Sequence, residues 1–583
     1  SVAPGPSPGP AGPARAAGLE PEREPGPAAA SRPRPRAAAA EPGDWRRYPD
    51  GESFLAALGA ETAPRAVWWA LPGPGSWPTM IASAVRATYD GGRGALVVVP
   101  DARDLARVEA ALSAAIGPDA VVALSAELGP AERYRRFLTV VRGRRRVVAG
   151  TRAAVFAPVA RLGLVVVWDD GDDLHGEPRA PYPHVRDVAV LRSRRESAAL
   201  LIGGWSPSTD AEALSRVGWA RPLRPPREML RTLAPRVEAT GSDRELARDP
   251  AARAARLPSL AWSAARESLA AGAPVLVQVP RRGYQPQLAC ASCRRPARCE
   301  RCSGPLGRPA AGGTPACRWC GRPAADWSCP TCADTAVRAA VVGDRRTAEE
   351  LGRAFPGTLV RTSGRDAVLA TVPDSPDLVV ATPGAEPIAA GGYGTVLLLD
   401  AWALLGRPDL RAAEETLRRW CAAAALARPG PAGGRVVVTA DASVPAVQAL
   451  VRWDPAGFIA READERSALG FPPATRMAAV EGSPEAVADV LALVDLPDGV
   501  DVLGPVPVAP SFGGSGGARV GGAGVGGAGV GGAGPTEPAE RVLLRVGRER
   551  GTALAAALKG AAGIRSARKA PPVRIRLDPP DLL

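Results

Sequence analysis

The sequence predicts an α/β protein: two tandem parallel-sheet lobes, a Cys-rich zinc-ribbon insert inside the second, and an α+β C-terminal domain. Three observations lead there. Short Val/Leu runs alternate with helix-like stretches, eight of nine cysteines crowd between 290 and 332, and the alternation gives way to a mixed pattern after about 455.

Residues 1–41 are Pro, Ala, Gly and Arg with almost no large apolar side chains, so they are expected to be disordered. The first lobe is expected over 42–225. Its strand-like runs are "GALVVVP" (94–100), "AVVAL" (120–124), "RVVA" (146–149), "LGLVVV" (162–167) and "ALLIG" (199–203). Continuous apolar runs of this length suit strands buried on both faces of a parallel sheet. The second lobe is expected to begin at 226–285, to be interrupted by the insert at 286–333, and to resume over 334–455. Its runs are "APVLVQVP" (273–280), "AAVVGD" (339–344), "DLVVAT" (377–382), "GTVLLLD" (394–400) and "RVVVTA" (435–440). The tail, 456–583, contains a Gly-rich stretch at 511–536 with "VGGAG" three times in tandem, read as a flexible loop.

The chain has 583 residues, with 73 Lys+Arg against 60 Asp+Glu, a net charge of +13. That balance favours a polyanionic partner such as nucleic acid. No apolar run approaches the roughly 18 residues of a membrane span, and the N-terminus lacks a signal-peptide pattern. Nine cysteines in such a chain point to reduced thiols or metal ligands. The expectation is a cytoplasmic protein with no membrane partner.

The clustered cysteines form four C-x-x-C pairs: "CASC" (290–293), "CERC" (299–302), "CRWC" (317–320) and "CPTC" (329–332). Each pair can point two sulfurs at one metal, and tetrahedral zinc takes two pairs. Four pairs therefore suit two closed Cys₄ sites, with the pairing left open by spacing. Thioredoxin-like redox chemistry uses one such pair, and iron–sulfur ligation fits the polar fillers less well. Gly321 and Gly304 are the expected tight-turn residues of the knuckles. Cys421, alone in an Ala-rich helix, reads as core.

Residues 70–85 read "ALPGPGSWPTMIASAV", between a strand-like and a helix-like run. A phosphate loop would stand here, and Gly75, Ser76 and Thr79 keep part of the G-x-x-x-x-G-K-[ST] frame. The lysine position holds Pro78 and the glycine before it is Trp77.

Several stretches resemble the primosomal protein N′ (PriA) family of replication-restart helicases. They are "AGTRAAVFAPVARLGLVVV" (149–167), "PYPHVRDVAVLRS" (181–193), "RRGYQPQLACASCRRPARCERCSGPL" (281–306), "ALGFPPATRMAAV" (468–480), "DVLGPVPV" (501–508) and "VRIRLDPPDLL" (573–583). The resemblance spans roughly 42–583 and keeps the family's order. It implies two RecA-like lobes that hydrolyse ATP and move on single-stranded DNA, and a zinc insert that binds DNA and recruits primosome partners. By resemblance, Cys290, Cys293, Cys329 and Cys332 share one zinc, and Cys299, Cys302, Cys317 and Cys320 share the second. Implied partners are forked or single-stranded DNA, primosome proteins, single-stranded-DNA-binding protein and the replicative-helicase loading machinery, with a nucleoid-associated location. The family's N-terminal 3′-end-binding domain and winged helix have no counterpart in residues 1–41.

The chain departs from the family at four helicase elements. Pro78 replaces the phosphate-binding lysine. The family's D-E-E-H falls on "WDDG" (168–171), leaving Asp169 and Asp170 as Mg²⁺ candidates. Its S-A-T falls on "GWS" (204–206), and its Q-x-x-G-R-x-G-R on "CAAAALAR" (421–428), which keeps Arg428 only. Together these predict a helicase-like pseudoenzyme with no catalytic residues, two Zn²⁺ per chain and no working ATP/Mg²⁺ site. The expected role is DNA-binding replication restart without unwinding. The competing readings are an active ATP-dependent 3′–5′ DNA helicase and a zinc-ribbon scaffold with no direct DNA role. Arg281 and Arg282, then Arg294 and Arg295, are the expected DNA-backbone contacts. His175 and His184 read as surface or turn residues, and Trp68 and Trp69 as core.

Overall fold

The computed structural model describes residues 43–580, apart from 61, 74, 254, 281–287, 294, 309–312, 318–320, 340–343, 365–366, 408 and 509–538. The expectations for 1–41 and for the Gly-rich loop at 511–536 lie outside the described residues.

The Val/Leu runs become strands. β1 (Arg65–Trp69), β2 (Gly94–Val98), β3 (Val121–Leu124), β4 (Val147–Gly150), β5 (Leu162–Trp168), β6 (Ala199–Gly204) and β7 (Arg221–Leu223) form one sheet. Its order is β3-β4-β2-β5-β6-β1-β7, and every pair is parallel. Alternate residues of a strand point to opposite faces, and both faces are dry. Ala95, Val97, Leu164 and Val166 join one core, whereas Leu96, Val98, Val165 and Val167 join another. That two-sided burial is why the strands read as unbroken apolar runs.

The second sheet starts with β8 (Arg236–Gly241) and β9 (Val275–Gln278). The insert follows, with β10 (Leu288–Cys290), β11 (Leu306–Gly307), β12 (Ala316–Cys317) and β13 (Val337–Ala339). Then come β14 (Val360–Ser363), β15 (Thr371–Val372), β16 (Leu378–Ala381), β17 (Ile388–Ala389), β18 (Thr395–Leu398) and β19 (Arg435–Asp441). The main sheet is parallel, in the order β14-β16-β9-β18-β19-β8. The run at 339–344 does not enter it. Val337–Ala339 pairs antiparallel with β10 instead, closing the base of the insert, and 340–343 lie outside the described residues. The edge strands β7, β8 and β14 carry weaker apolar signals because one flank of each is unpaired, and β7 even holds Pro222.

The cores of the two lobes merge. Trp168 and Leu201 of the first belong to the same buried cluster as Leu398, Trp420 and Val438 of the second. The tail forms an antiparallel sheet from β20 (Thr475–Gly482), β21 (Asp501–Pro507), β22 (Glu540–Gly547) and β23 (Arg574–Leu577), in the order β21-β22-β20-β23. Helices Pro484–Leu493 and Gly551–Ala567 cover one face of it. No helix among the described residues is long and apolar enough to cross a membrane.

Candidate nucleotide cleft and metal centre

In a parallel α/β sheet, ligands collect beyond the C-terminal ends of the strands. Here β1, β5 and β6 lie side by side, and the residues that follow them meet. The chain leaves β1 through Gly75 into helix Ser76–Asp90. Pro78 is the third helical residue, a place where the N–H has no intrahelical acceptor and proline is tolerated. Thr79 Oγ1 turns back and donates to the Ser76 carbonyl at 2.8 Å. Trp77 is fully buried and stacks on Trp168, with centroids 4.2 Å apart and planes 6° from parallel. Trp168 also meets Trp68 at 5.5 Å and Trp205 edge-on at 5.3 Å, while the Arg107 guanidinium lies 4.7 Å over the Trp77 ring. Four indoles thus fill the space behind the loop. An open cavity of about 490 Å³ remains in front of it, lined by Gly75, Pro78, Thr79, Arg107, Ile388 and Ala390.

Both candidate metal carboxylates are already engaged. Asp169, left-handed at φ 55°, pairs with Arg418 of helix Ala412–Ala424 in the second lobe. The same guanidinium reaches Asp172 at 3.0 Å and Glu415 at 2.6 Å. Burial opposes its charge, but Asp169, Glu415 and Asp172 hold Arg418 well above the ordinary arginine range. Asp170 accepts from Arg186 at 3.1 Å, from the Ser208 amide at 3.0 Å and from the Ser208 hydroxyl. Alongside, Glu414 accepts from the Thr209 amide at 3.0 Å and from Arg466 at 2.7 Å. This network joins the first lobe, the second lobe and helix Pro455–Leu469. Sequence reasoning missed Arg418, Glu414, Glu415 and Arg466. The available signal was "EETLRR" (414–419), dense charge within a helix whose other positions are core.

Both histidines lie in this region. His175, expected at the surface or in a turn, is fully buried, and its Nε2 meets the Trp168 carbonyl at 2.9 Å. His184 has the turn role, accepting at Nδ1 from the Arg186 amide as the N-cap of helix Val185–Arg195. Burial lowers both, and the Arg186 charge pushes His184 further down, well below the ordinary imidazole value. The folded state therefore keeps both rings neutral while the unfolded chain takes up protons below about pH 6.5. Their stabilising contribution is complete above that value and is lost as pH falls. His184→Asn keeps a capping side chain without the titration. On acidification from about pH 8 to 5.5, the wild type should lose about 1 kcal/mol more than this variant. Equal losses in paired urea titrations would remove His184 from the pH response.

The insert repeats one turn four times. The amide of the first cysteine in each pair donates to the carbonyl five residues on: Cys290 to Arg295, Cys299 to Gly304, Cys317 to Arg322 and Cys329 to Asp334. A left-handed residue follows at Ser303, Gly321 and Ala333. Gly321 thus takes its expected role, but the second turn places Ser303 rather than Gly304 in that conformation. The thiols of Cys290, Cys293, Cys329 and Cys332 lie within 4.8 Å of one another, as do those of Cys299, Cys302 and Cys317. Cys290–Cys332, Cys293–Cys329 and Cys302–Cys317 approach to 3.5, 3.4 and 3.4 Å without bonding. Tetrahedral zinc with Zn–S bonds of about 2.3 Å needs sulfurs roughly 3.8 Å apart, so the first set fits such an ion. Cys320 lies outside the described residues. Against burial, the amides of Thr331 and Cys332 hold the Cys329 thiol down to about 6, which favours the ligating thiolate. Cys421 is buried core.

Of the expected DNA contacts, Arg281, Arg282 and Arg294 lie outside the described residues. Arg295 is exposed and donates to Thr331 Oγ1 at 2.6 Å.

The primosomal protein N C-terminal domain family matches residues 467–580. The probable replication restart protein PriA of Mycobacterium tuberculosis is 50% identical over 552 residues, which is 93% of this chain and 82% of the relative. The chain belongs to the replication restart protein PriA family. The Mycobacterium leprae member is likewise 50% identical over 545 residues, 92% of this chain and 81% of that one. Among solved structures, the DUF1998 helicase MrfA bound to DNA and AMPPNP covers 70% of this chain and 50% of its own, at 11% identity and a TM-score of 0.38. Membership corrects the expectation of a non-enzymatic chain. With half its residues shared with PriA proteins along nearly its whole length, it stands inside the replication restart family and is not set apart from those relatives as a pseudoenzyme.

Proposed function

We propose that this protein acts in replication restart by binding forked or single-stranded DNA and supporting primosome assembly there. Its protein partners would be primosome proteins, single-stranded-DNA-binding protein and the machinery that reloads the replicative helicase. Half-identity to PriA proteins over 93% of the chain carries this reading. The lobes at 42–225 and 226–455, the insert at 286–333 and the tail from 456 would act as its working parts. The insert would hold two zinc ions in the nested pairing, Cys290, Cys293, Cys329 and Cys332 on one and Cys299, Cys302, Cys317 and Cys320 on the other. Zinc there is structural: four thiolates close each site and leave no position for a reacting water. Arg281, Arg282, Arg294 and Arg295 flank or enter the insert and would contact phosphates.

A binding titration on a forked duplex across a salt series tests this. A protein neutralising about five phosphates of a single strand should lose on the order of 10²-fold in affinity between roughly 50 and 200 mM salt. Arg281→Ala with Arg282→Ala should weaken binding without altering sequence preference. Affinity that ignores salt would count against a phosphate-binding role.

A further inference from the structure

Exposed large apolar side chains are ordinary where they stand singly. On helix Pro130–Val141 of the first lobe three of them share one face: Tyr134, Phe137 and Val141, exposed at 64, 38 and 52%. Steps of three and then four residues keep them in one stripe along an α-helix, the spacing of a coiled-coil seam. Leu138, half-buried, borders the stripe. Val140 is the helix's one buried residue and joins a core of the first sheet. Polar bonds secure the rest. Arg136 Nη1 donates to Ala123 O at 3.0 Å, and Arg145 Nη1 donates to Val121 O at 2.6 Å and to Pro118 O at 3.0 Å. Val121 and Ala123 belong to β3, the edge of the sheet. With those carbonyls taken, a further strand is blocked from pairing there.

The stripe lies in a basic field. Residues 130–146 hold seven arginines and one acidic residue, Glu132. Glu132 is taken by Arg135 and by Arg136, the latter at 2.9 Å. Arg146 donates to Gly92 O. Arg133, Arg142 and Arg144 are exposed, and their side chains make no ion pair or hydrogen bond with the described residues. At about 100° per residue, Arg133 falls on one flank of the stripe and Arg142 on the other.

We propose that the outer face of helix Pro130–Val141 docks an acidic amphipathic helix of a protein partner, with Tyr134, Phe137 and Val141 against its apolar stripe and Arg133 and Arg142 against its carboxylates. Apolar anchors at helical spacing supply the contact, and flanking charges select the partner. Charge complementarity decides the occupant. A second copy of this chain on the same face would set arginines against arginines, because a two-fold interface repeats its own surface. DNA would answer the arginines, but the 3-4 spacing of a Tyr, a Phe and a Val is that of a seam between helices. The proposal goes beyond the DNA-binding reading and does not rest on it.

The test uses the full zinc-loaded chain and a fluorescent designed peptide of about three heptads, with Leu at a and d and Glu at e and g. Two control peptides carry Lys for every Glu, or the same residues in scrambled order. The wild type should bind the acidic helix at least tenfold more tightly than either control. Tyr134→Ser with Phe137→Ser should weaken it by about tenfold or more, the effect of unburying one large apolar side chain, at an unchanged denaturation midpoint. Arg133→Glu with Arg142→Glu should reverse the choice and favour the Lys peptide. Both variants should bind oligothymidine as the wild type does, and light scattering should show no self-association that the Ser variant relieves. Equal binding of the acidic and scrambled peptides overturns the proposal. So does an acidic-peptide affinity that neither variant changes. Loss of oligothymidine binding in both variants would make the face a DNA contact instead, and self-association relieved by the Ser variant would make it a contact between copies. Oligothymidine binding by the wild type is read separately, so failure of the DNA-binding reading leaves this result standing.

Discussion

Chelation of the reduced protein is expected to release about two zinc ions per chain and to unfold residues 288–339. Among the described residues, the buried core of the insert is Leu288, Cys290, Ala297, Cys299, Leu306, Cys317, Trp327 and Cys329, and half of it is cysteine. A core that small cannot offset the entropy of ordering its own loops. Structural zinc contributes on the order of 10 kcal/mol per site in small peptides, so zinc held here would stabilise this region more than its apolar packing does. Hydrogen exchange should show the insert's amides exposed after chelation while those of β2, β5 and β9 stay protected. Cys329→Ser should leave about one zinc per chain, held by the site containing Cys299, under the nested pairing. Loss of both ions, or retention of both, would count against that pairing.

Arg418→Met should destabilise the closed arrangement of the lobes by roughly 3–5 kcal/mol, the usual effect of removing one partner from a buried ion pair. The buried Arg418 pairs with Asp169, Asp172 and Glu415 at once. Without it, three carboxylates share one dry space with only Arg419 still paired to Glu415 in that group. Arg418→Lys should recover only part of the loss, since an ammonium cannot serve three acceptors with the geometry of a planar fork. The expected readout is a lower denaturation midpoint with faster amide exchange in 169–173 and 412–424. Combining Arg418→Met with Asp169→Asn should cost less than the sum of the two, because the second change removes part of the repulsion. A midpoint unchanged by Arg418→Met would show that this network does not hold the lobes together.

The strands of both lobes were legible because parallel strands buried on two faces must be apolar at every position. Val165 and Val166 serve opposite cores, yet both read as strand. Of the four edges of the two main sheets only β3 was legible. Arg236–Gly241 carries half-polar residues because one side of it has no neighbouring strand. Ala339 reads as part of the second lobe's sheet but pairs within the insert, because its apolar run crosses the boundary between the two. The clustering of the cysteine pairs was legible from spacing alone, since C-x-x-C is a local geometry. Ser303 at the left-handed turn position was not, because a glycine one residue later offered the simpler reading.

The sequence by itself determined the fold class, the four-fold C-x-x-C motif, the family and the proline at position 78. All of these are written in periodicity or in short spacings along the chain. Only the tertiary structure decided what fills the space behind residue 78. Trp77 and Trp168 become partners because β1 and β5 flank β6 in the sheet order, which no local pattern encodes. Arg418 meets Asp169 because the second lobe folds back across the first, over 249 residues of chain. Local sequence specifies which backbone shape each segment takes and which side of it is apolar. Which buried charges share one low-dielectric space depends on how distant segments stack, and there a charge must find its counter-charge or remain outside.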